Sequence, residues 1–358
     1  MLTRTPRYSC LRIAQVAPLA ESVPPRLYGG TERVVSYLTE ELVRQGHQVT
    51  LFASGDSLTS AELVRVVPRS LRLDASVRNC LPYNCMLIDC VMRRAYEFDV
   101  LHFHVDFFHY PSVRTFASRT VTTLHGRLDL PDLYPFYRMF SDLPLISISD
   151  AQREPMPPVN WLATVQHGLP ETLLAPRHRP GRYLAFLGRI SPEKRVDRAI
   201  QIARELGVPL KIAAKVDNAD KEYFDAEIKH LLDHPLIDYV GEIGETEKNE
   251  FLGSALALLF PIDWPEPFGL VMIEAMACGT PVIAFNRGSV PEIVEHGITG
   301  FIVNSIDEAV RAATRIDTLD RALIRRRFEQ RFTAEHMAAN YLAAYQRLIS
   351  TTQIPQTA

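Results

Sequence analysis

The sequence predicts an α/β protein made of two doubly wound parallel-sheet domains. Three observations predict it. The chain has 358 residues, more than one ordinary core of ~150 residues holds. Short apolar runs alternate with amphipathic stretches from end to end, the pattern of a parallel sheet covered by helices on both faces. The alternation stops at residues 168–182 (GLPETLLAPRHRPGR), which hold three prolines and two glycines without a period, and then restarts. We read this stretch as the linker. It sets a first domain at 1–170 and a second at 171–332. A C-terminal helical segment, 333–358, is expected to cross back to the first domain.

Each element has a local reason. Leu11–Ala17 reads as a buried strand. Thr31–Gly46 reads as a helix: Val34, Val35, Leu38 and Leu42 share one face, Thr31 can cap it and Gly46 ends it. Val49–Ala53, Val100–His104, Thr120–Leu124 and Leu145–Ile148 are further strands, rich in Val, Ile, Leu and Thr. After the break, strands are expected at Tyr183–Leu187, Pro209–Ala214, Ile237–Val240, Leu256–Pro261 and Val282–Phe285. Helices are expected at Pro192–Leu206, Ala219–Leu232, Lys248–Ser254 and Leu270–Ala277. Asp307–Ile349 is expected to be helical, with 350–358 fraying.

Composition excludes several classes. Hydrophobic residues make 47 % and charged residues 23 % of the chain, so it is not disordered, coiled-coil or collagen-like. The net charge of −3 gives no basic excess for nucleic acid. The arginines between 311 and 331 read as the solvated side of late helices. Of five cysteines, Cys80, Cys85 and Cys90 are five apart and Cys10 and Cys278 stand alone. No two tight pairs suggest zinc, and the thiols are expected to be reduced and structural. No apolar run reaches the ~18 residues of a membrane span. The N-terminus does not read as a signal peptide, and the expected location is cytoplasmic.

Ligands of open α/β sheets bind at the carboxyl ends of strands, so chemistry is sought in the loops that follow them. The first strand leads to Gly29-Gly30 at a helix start, which suits an anion. It lacks the G-x-G-x-x-G fingerprint, which disfavours a dehydrogenase. In the second domain, Gly188–Lys194 places Arg189 just past a strand and Lys194 in the first turn of a helix. Cations there make sense if an anion lies between them and the helix dipole. Pro265–Glu274 carries Glu266 between two prolines, Gly269 at a helix start and Glu274 eight residues on. Two carboxylates beside an open helix start can accept hydrogen bonds from sugar hydroxyls. His125 closes a strand and is expected to face a cleft between the domains. His102 and His104 point to one face and could form a metal trio with Asp106; packing and cleft lining is the favoured reading. The sequence contains no D-x-D, the metal-gripping pattern of many sugar-nucleotide transferases.

These residues resemble a known family. Pro265–Glu274 is similar to the E-x-x-F-G-x-x-x-x-E signature of retaining glycosyltransferases of family 4, which have the GT-B fold of two Rossmann-like domains facing across a cleft. Tyr28–Glu32, Thr123–Gly126, Gly188–Lys194, Cys278–Ala284 and Gly297–Phe301 also resemble it, in order and in place. The resemblance implies roles. Gly29 and Gly30 would lie over the donor diphosphate, and Arg189 and Lys194 would neutralise it as it leaves. Phe268, Gly269 and Leu270 would contact the transferred sugar and β-phosphate by backbone groups. Glu266 would hold sugar hydroxyls, Glu274 the ribose hydroxyls, and the base would rest near Ile243. His125 would touch the donor sugar near the reacting carbon. One departure is His167-Gly168-Leu169-Pro170, where the family often has Asn-Gly-Val-Asp.

The implied reaction moves a hexose, with retention, from a nucleotide-diphosphate sugar to a hydroxyl. UDP-glucose is the favoured donor, with no metal and no other cofactor. The acceptor is expected on the first domain, in loops 18–30 and 104–112 and around Arg127–Asp132. Tyr28, Phe107, Phe108, His109 and Tyr110 supply aromatic surface there. The stretch Ser70–Tyr96 has no lysine and carries Asp74 and Asp89, which favours a small soluble acceptor over a membrane lipid. Alternatives are a GDP-mannose-dependent or lipid- or polysaccharide-directed transferase, a GT-B epimerase, and a non-enzymatic sensor. Domain closure would hinge at 168–182 and at the C-terminal helix.

Overall fold

The computed structural model describes residues 10–27, 29–72, 74–179 and 181–351. Tyr28 and the tail beyond 351 lie outside the described residues. The chain forms two compact units. The first comprises residues up to 148, with 155–165 and 337 onward; the second comprises 149–154 and 166–336. The chain thus leaves the first unit after Val165, whereas the boundary read from the sequence stood at 170.

The first unit holds a seven-stranded, all-parallel sheet in the order β3-β2-β1-β4-β5-β6-β7. Its strands are β1 (Arg12–Val16), β2 (Gln48–Ser54), β3 (Glu62–Val67), β4 (Val100–Phe103), β5 (Thr120–Thr123), β6 (Leu145–Ser147) and β7 (Trp161–Thr164). Its helices are α1 (Gly30–Arg44), α2 (Leu81–Arg93), α3 (Tyr110–Val113) and α4 (Leu133–Met139). The central strands are buried on both faces, as parallel strands under helices must be. The α1 stripe Val34, Val35, Leu38 and Leu42 is completely buried. The helix starts one residue earlier than the sequence suggests, and Gly29 stands at its N-cap where Thr31 was expected. Gly29 has φ +155°, and a Cβ there would lie 2.7 Å from Pro25 Cβ. Glycine is therefore required.

The second unit holds a six-stranded parallel sheet in the order β10-β9-β8-β11-β12-β13. Its strands are β8 (Tyr183–Arg189), β9 (Leu210–Lys215), β10 (Ile237–Gly241), β11 (Ala255–Phe260), β12 (Val282–Phe285) and β13 (Gly300–Val303). Its helices are α5 (Val196–Leu206), α6 (Lys221–Tyr223), α7 (Glu245–Gly253), α8 (Leu270–Ala277), α9 (Val290–Ile293), α10 (Ile306–Ala313) and α11 (Arg321–Arg331); α12 (Ala334–Thr351) runs on into the first unit.

Four readings need correction. Strands β3, β7 and β13 were not foreseen; all three are outer strands of their sheets, and in β3 and β7 half-exposure blurs the apolar pattern. The helix expected over Ala219–Leu232 is broken into a 3-10 turn, the short α6, a π turn and another 3-10 turn. Within it only Ile228 is buried, too little to hold one continuous helix. Residues 168–182 are not a free linker. Leu169 pairs with Phe332 and Ala334, Arg177 N–H donates to the Cys278 carbonyl, and Gly181 N–H donates to the Ser254 carbonyl. This strap is fastened to the second unit because its backbone groups find partners there.

The arginines of the late helices are not all solvated. Arg321 is buried and donates to the carbonyls of Arg177, Gly253 and Ala255 and to Thr280. Arg325 donates to the carbonyls of Glu171, Leu174 and Ala277. A guanidinium fork satisfies several orphaned carbonyls at once, which explains arginine there.

Candidate functional site

Each sheet reverses its winding direction once, between β1 and β4 in the first unit and between β8 and β11 in the second. Such switch points open a crevice at the carboxyl ends of the strands. Most of the residues singled out in the sequence collect at these two places.

In the second unit, Arg189 ends β8. Its guanidinium donates to Glu193 Oε1 at 2.5 Å and lies 3.7 Å from Asp217 and 3.8 Å from Asp220. Glu193 is pulled below the ordinary carboxylate range: hydrogen bonds and the Arg189 charge outweigh its burial. Lys194 does not open the helix, as the sequence suggested. It closes a turn from Ser191, its N–H donating to the Ser191 carbonyl at 3.1 Å, and α5 starts only at Val196. Arg195 between them adopts a left-handed backbone with φ +52° and holds Asp197 and Asp263. The helix-dipole reason for Lys194 therefore fails. Its ammonium is ion-paired with Glu266 and lies 4.9 Å over the Trp264 ring.

Glu266 follows β11 and is buried. Besides Lys194, it accepts from Trp264 Nε1 at 2.9 Å. Its backbone is clamped from outside: Ser289 N–H donates to the Glu266 carbonyl at 2.9 Å, and Ser289 Oγ donates to the Phe268 carbonyl at 2.9 Å. Gly288, with φ +53°, lets that segment approach; a Cβ there would stand 2.4 Å from Glu266 backbone atoms. Gly269 has φ +81° and stands at the N-cap of α8, with Leu270 its first residue. Among the described residues no side chain caps that start, so its N–H groups are open to a ligand. Phe268 itself is buried edge-on against His167, at 4.8 Å between ring centres.

Glu274, inside α8, is buried, and Oε1 accepts from Lys248 at 2.6 Å. Lys248 was missed in the sequence. Its signal was a lone lysine in the acidic run Glu245–Glu250 of α7. Ile243 lies in the loop between β10 and α7, half-buried. Arg189, Lys194, Glu266, Gly269 and Glu274 thus share the second unit's switch point, whereas Ile243 belongs to an outer strand's loop.

Gly29, Gly30 and His125 belong to the first unit. There a cavity of about 400 Å³ lies at the switch point. The loops after β1, β4 and β5, the start of α1 and the residues opening α2 line it. Thr31, Asn84, Asp106 and His125 give it polar atoms, and Leu19 and Phe108 give it apolar wall. Burial raises the Asp106 carboxyl above its ordinary value. The imagined metal trio is not formed. Both ring nitrogens of His102 bond to Tyr345 and Thr123, and those of His104 bond to His125 and Gln15. Of the aromatic residues read as acceptor surface, Phe107 and Phe108 are partly exposed, but His109 and Tyr110 are buried in the core.

Residues 28–153 match the family described as Glycosyltransferase Family 4, and residues 176–331 match Glycosyl transferases group 1. The chain thus carries a Glycosyltransferase Family 4 domain followed by a Glycosyl transferases group 1 domain. It is 32 % identical, over 177 residues, to the D-inositol 3-phosphate glycosyltransferase of Mycolicibacterium smegmatis; that match covers 47 % of this chain and 41 % of the relative. The chain thus spans less than half the length of the curated relatives it matches. In structure, the chain is similar to sucrose-phosphate synthase from Thermosynechococcus elongatus, with a TM-score of 0.76 and 18 % identity over 95 % of this chain and 100 % of that one. It is also similar to HepE of Anabaena in complex with UDP and glucose, with a TM-score of 0.67 and 17 % identity over 96 % and 99 %. These likenesses show the GT-B fold. No helix among the described residues is long and apolar enough to cross a membrane.

Proposed function

We propose that this family 4 chain transfers a hexose from a nucleotide-diphosphate sugar, UDP-glucose first, to a hydroxyl of a small acceptor. In this reading the anomeric configuration is retained and no metal takes part. One observation carries it: two Glu–Lys pairs, Glu266–Lys194 and Glu274–Lys248, flank the open start of α8 at a switch point, with Arg189 at the end of the adjacent strand. Open helix N–H groups and cations suit a diphosphate. Buried carboxylates held by lysines accept hydrogen bonds from hydroxyls in a fixed direction.

The roles follow from that chemistry. Arg189, Lys194 and the α8 start stabilise charge as it builds on the leaving diphosphate; removing one such donor typically costs ~3–4 kcal/mol of barrier. Glu266 holds sugar hydroxyls and Glu274 the ribose. The base rests by Ile243. The acceptor takes the first unit's cavity. Its described lining residues include no lysine or arginine, which favours a neutral polyol-sized molecule over a phosphate ester. The Anabaena neighbour's complex with UDP and glucose supports a uridine donor. Thermal stabilisation against UDP-, GDP- and ADP-sugars in EDTA tests this. A shift with UDP-glucose, followed by an α-configured product, is expected; no shift with any of them overturns it.

A further inference from the structure

The switch point of the second unit holds an aromatic group to which the roles above give no task. Trp264 stands two residues before Glu266, with Pro265 between them. Glu266 N–H donates back to the Trp264 carbonyl at 2.8 Å, so the segment closes a tight three-residue turn. Proline suits the middle of such a turn, because its ring holds φ near the value required. The turn brings the half-buried indole to the carboxylate, and Trp264 Nε1 donates to Glu266 Oε2 at 2.9 Å. Asp263 N–H donates to the Glu193 carbonyl at 2.9 Å, which lays the Lys194 stretch against the same turn. The Lys194 ammonium is ion-paired with that same oxygen, Glu266 Oε2. It lies 4.9 Å from the centre of the Trp264 ring and 5.6 Å from that of Phe260.

The chemistry of these groups fixes the direction of both bonds. An indole N–H and an ammonium only donate, and a carboxylate only accepts. Both donors reach one oxygen. Among the described residues nothing donates to the other, Oε1. The Glu266 side chain is only 10 % exposed, and a carboxylate oxygen so placed calls for a donor from outside the protein. Its position says where that donor would sit. Glu266 Cγ lies 3.4 Å from where a Cβ on Gly269 would stand, so the carboxylate flanks the open start of α8. The neighbouring acid, Asp263, is taken up by Arg195, Arg198 and Arg287. The last torsion of a glutamate is soft, and an ammonium on a flexible stem can follow either oxygen as it turns. An indole N–H on a rigid ring, tied to the same turn, cannot follow.

We propose that Trp264 is a positioning residue for sugar recognition: with Lys194 it pins Oε2 of Glu266, so that Oε1 alone meets the hydroxyls of the donor sugar. This deepens the transferase reading above and rests on it. The two parts of the indole then have separate tasks. Its N–H acts through Glu266 and so concerns the sugar. Its ring face acts on Lys194 and so concerns the diphosphate. Removing the N–H by itself weakens the hold on the sugar and spares the hold on the nucleotide.

The test is calorimetry of the full chain with UDP-glucose and with UDP, which lacks the sugar. Trp264→Phe keeps a ring for Lys194 and removes the N–H. Its affinity for UDP-glucose is expected to fall about 10-fold, with affinity for UDP within about two-fold of wild type. Trp264→Ala, which also removes the ring face, is expected to weaken both. A second measurement decides the matter if Trp264→Phe does not fold. The chain has two tryptophans, so wild type gives two indole ¹H–¹⁵N signals, and Trp161→Phe assigns them. The Trp264 signal is expected to move upfield in Glu266→Ala, and to shift more with UDP-glucose than with UDP. Equal weakening of UDP and UDP-glucose in Trp264→Phe, or weakening of neither, overturns the proposal. So does a Trp264 signal that stays in place in folded Glu266→Ala. A signal that moves in Glu266→Ala, in a protein whose wild type binds neither UDP nor UDP-glucose, overturns the transferase reading instead.

Discussion

The two switch points solve one problem by opposite means. In the first unit, Gln15, His102, His104, His125, Thr123, Tyr341 and Tyr345 form a network of an amide, hydroxyls and imidazoles, and burial lowers His102 and His125. In the second, Glu266 and Glu274 are buried carboxylates, each held by a lysine. That network orients a ring at the cavity wall. Paired charges keep both signs ready for a ligand that is itself part anion and part hydroxyl. The lesson is that polar burial is tolerated in either form provided every partner is present, and that each form fails differently when a partner is removed.

The largest effect should come from breaking the charged site's frame. Gly288→Ala pushes a Cβ into the Glu266 backbone at a left-handed position. We expect a loss on the order of 3–4 kcal/mol in urea unfolding of the second unit. An unchanged midpoint would show that the Glu266 segment is not clamped as described.

Lys194→Ala comes next. It leaves Glu266 with Trp264 but without its cation, and it removes a charge from the diphosphate. UDP-glucose turnover should fall roughly 10²–10³-fold, and near-normal turnover would refute the phosphate assignment. Glu274→Gln keeps the shape of the side chain but removes the charge that Lys248 faces at 2.6 Å, leaving it Glu245 at 3.7 Å. Here calorimetry with UDP should show affinity weaker by about 10-fold, or ~1.4 kcal/mol; equal affinity would detach Glu274 from nucleotide binding.

The smallest effect separates the neutral site from the charged one by pH. Burial lowers His109 and His125 from the ordinary 6.5 to about 3. Between those values the unfolded chain binds more protons than the folded one, so stability falls as pH falls through that window and is complete above it. Each histidine should cost about 0.7 kcal/mol between pH 7 and pH 6. Urea titrations of wild type and His109→Gln should differ in slope by one histidine's share; parallel curves would contradict the neutral burial.

The sequence by itself determined the alternation of strands and helices, the glycines at helix starts and the double-glutamate stretch, because these are local. Apolar spacing, a forced φ and a proline on each side of Glu266 act within a few residues of chain. Even so, locality misled at Lys194, where the turn from Ser191 and the left-handed Arg195 delay the helix. Only the tertiary structure decided the partners. Gln15 meets Tyr345 across 330 residues, Lys194 meets Glu266 across 72 and Lys248 meets Glu274 across 26. No spacing rule encodes such pairs, since they arise when strands adopt their order and register. The roles of Arg321 and Arg325 were hidden for the same reason: a helix's arginines look solvated until the carbonyls they satisfy are brought in from elsewhere in the chain.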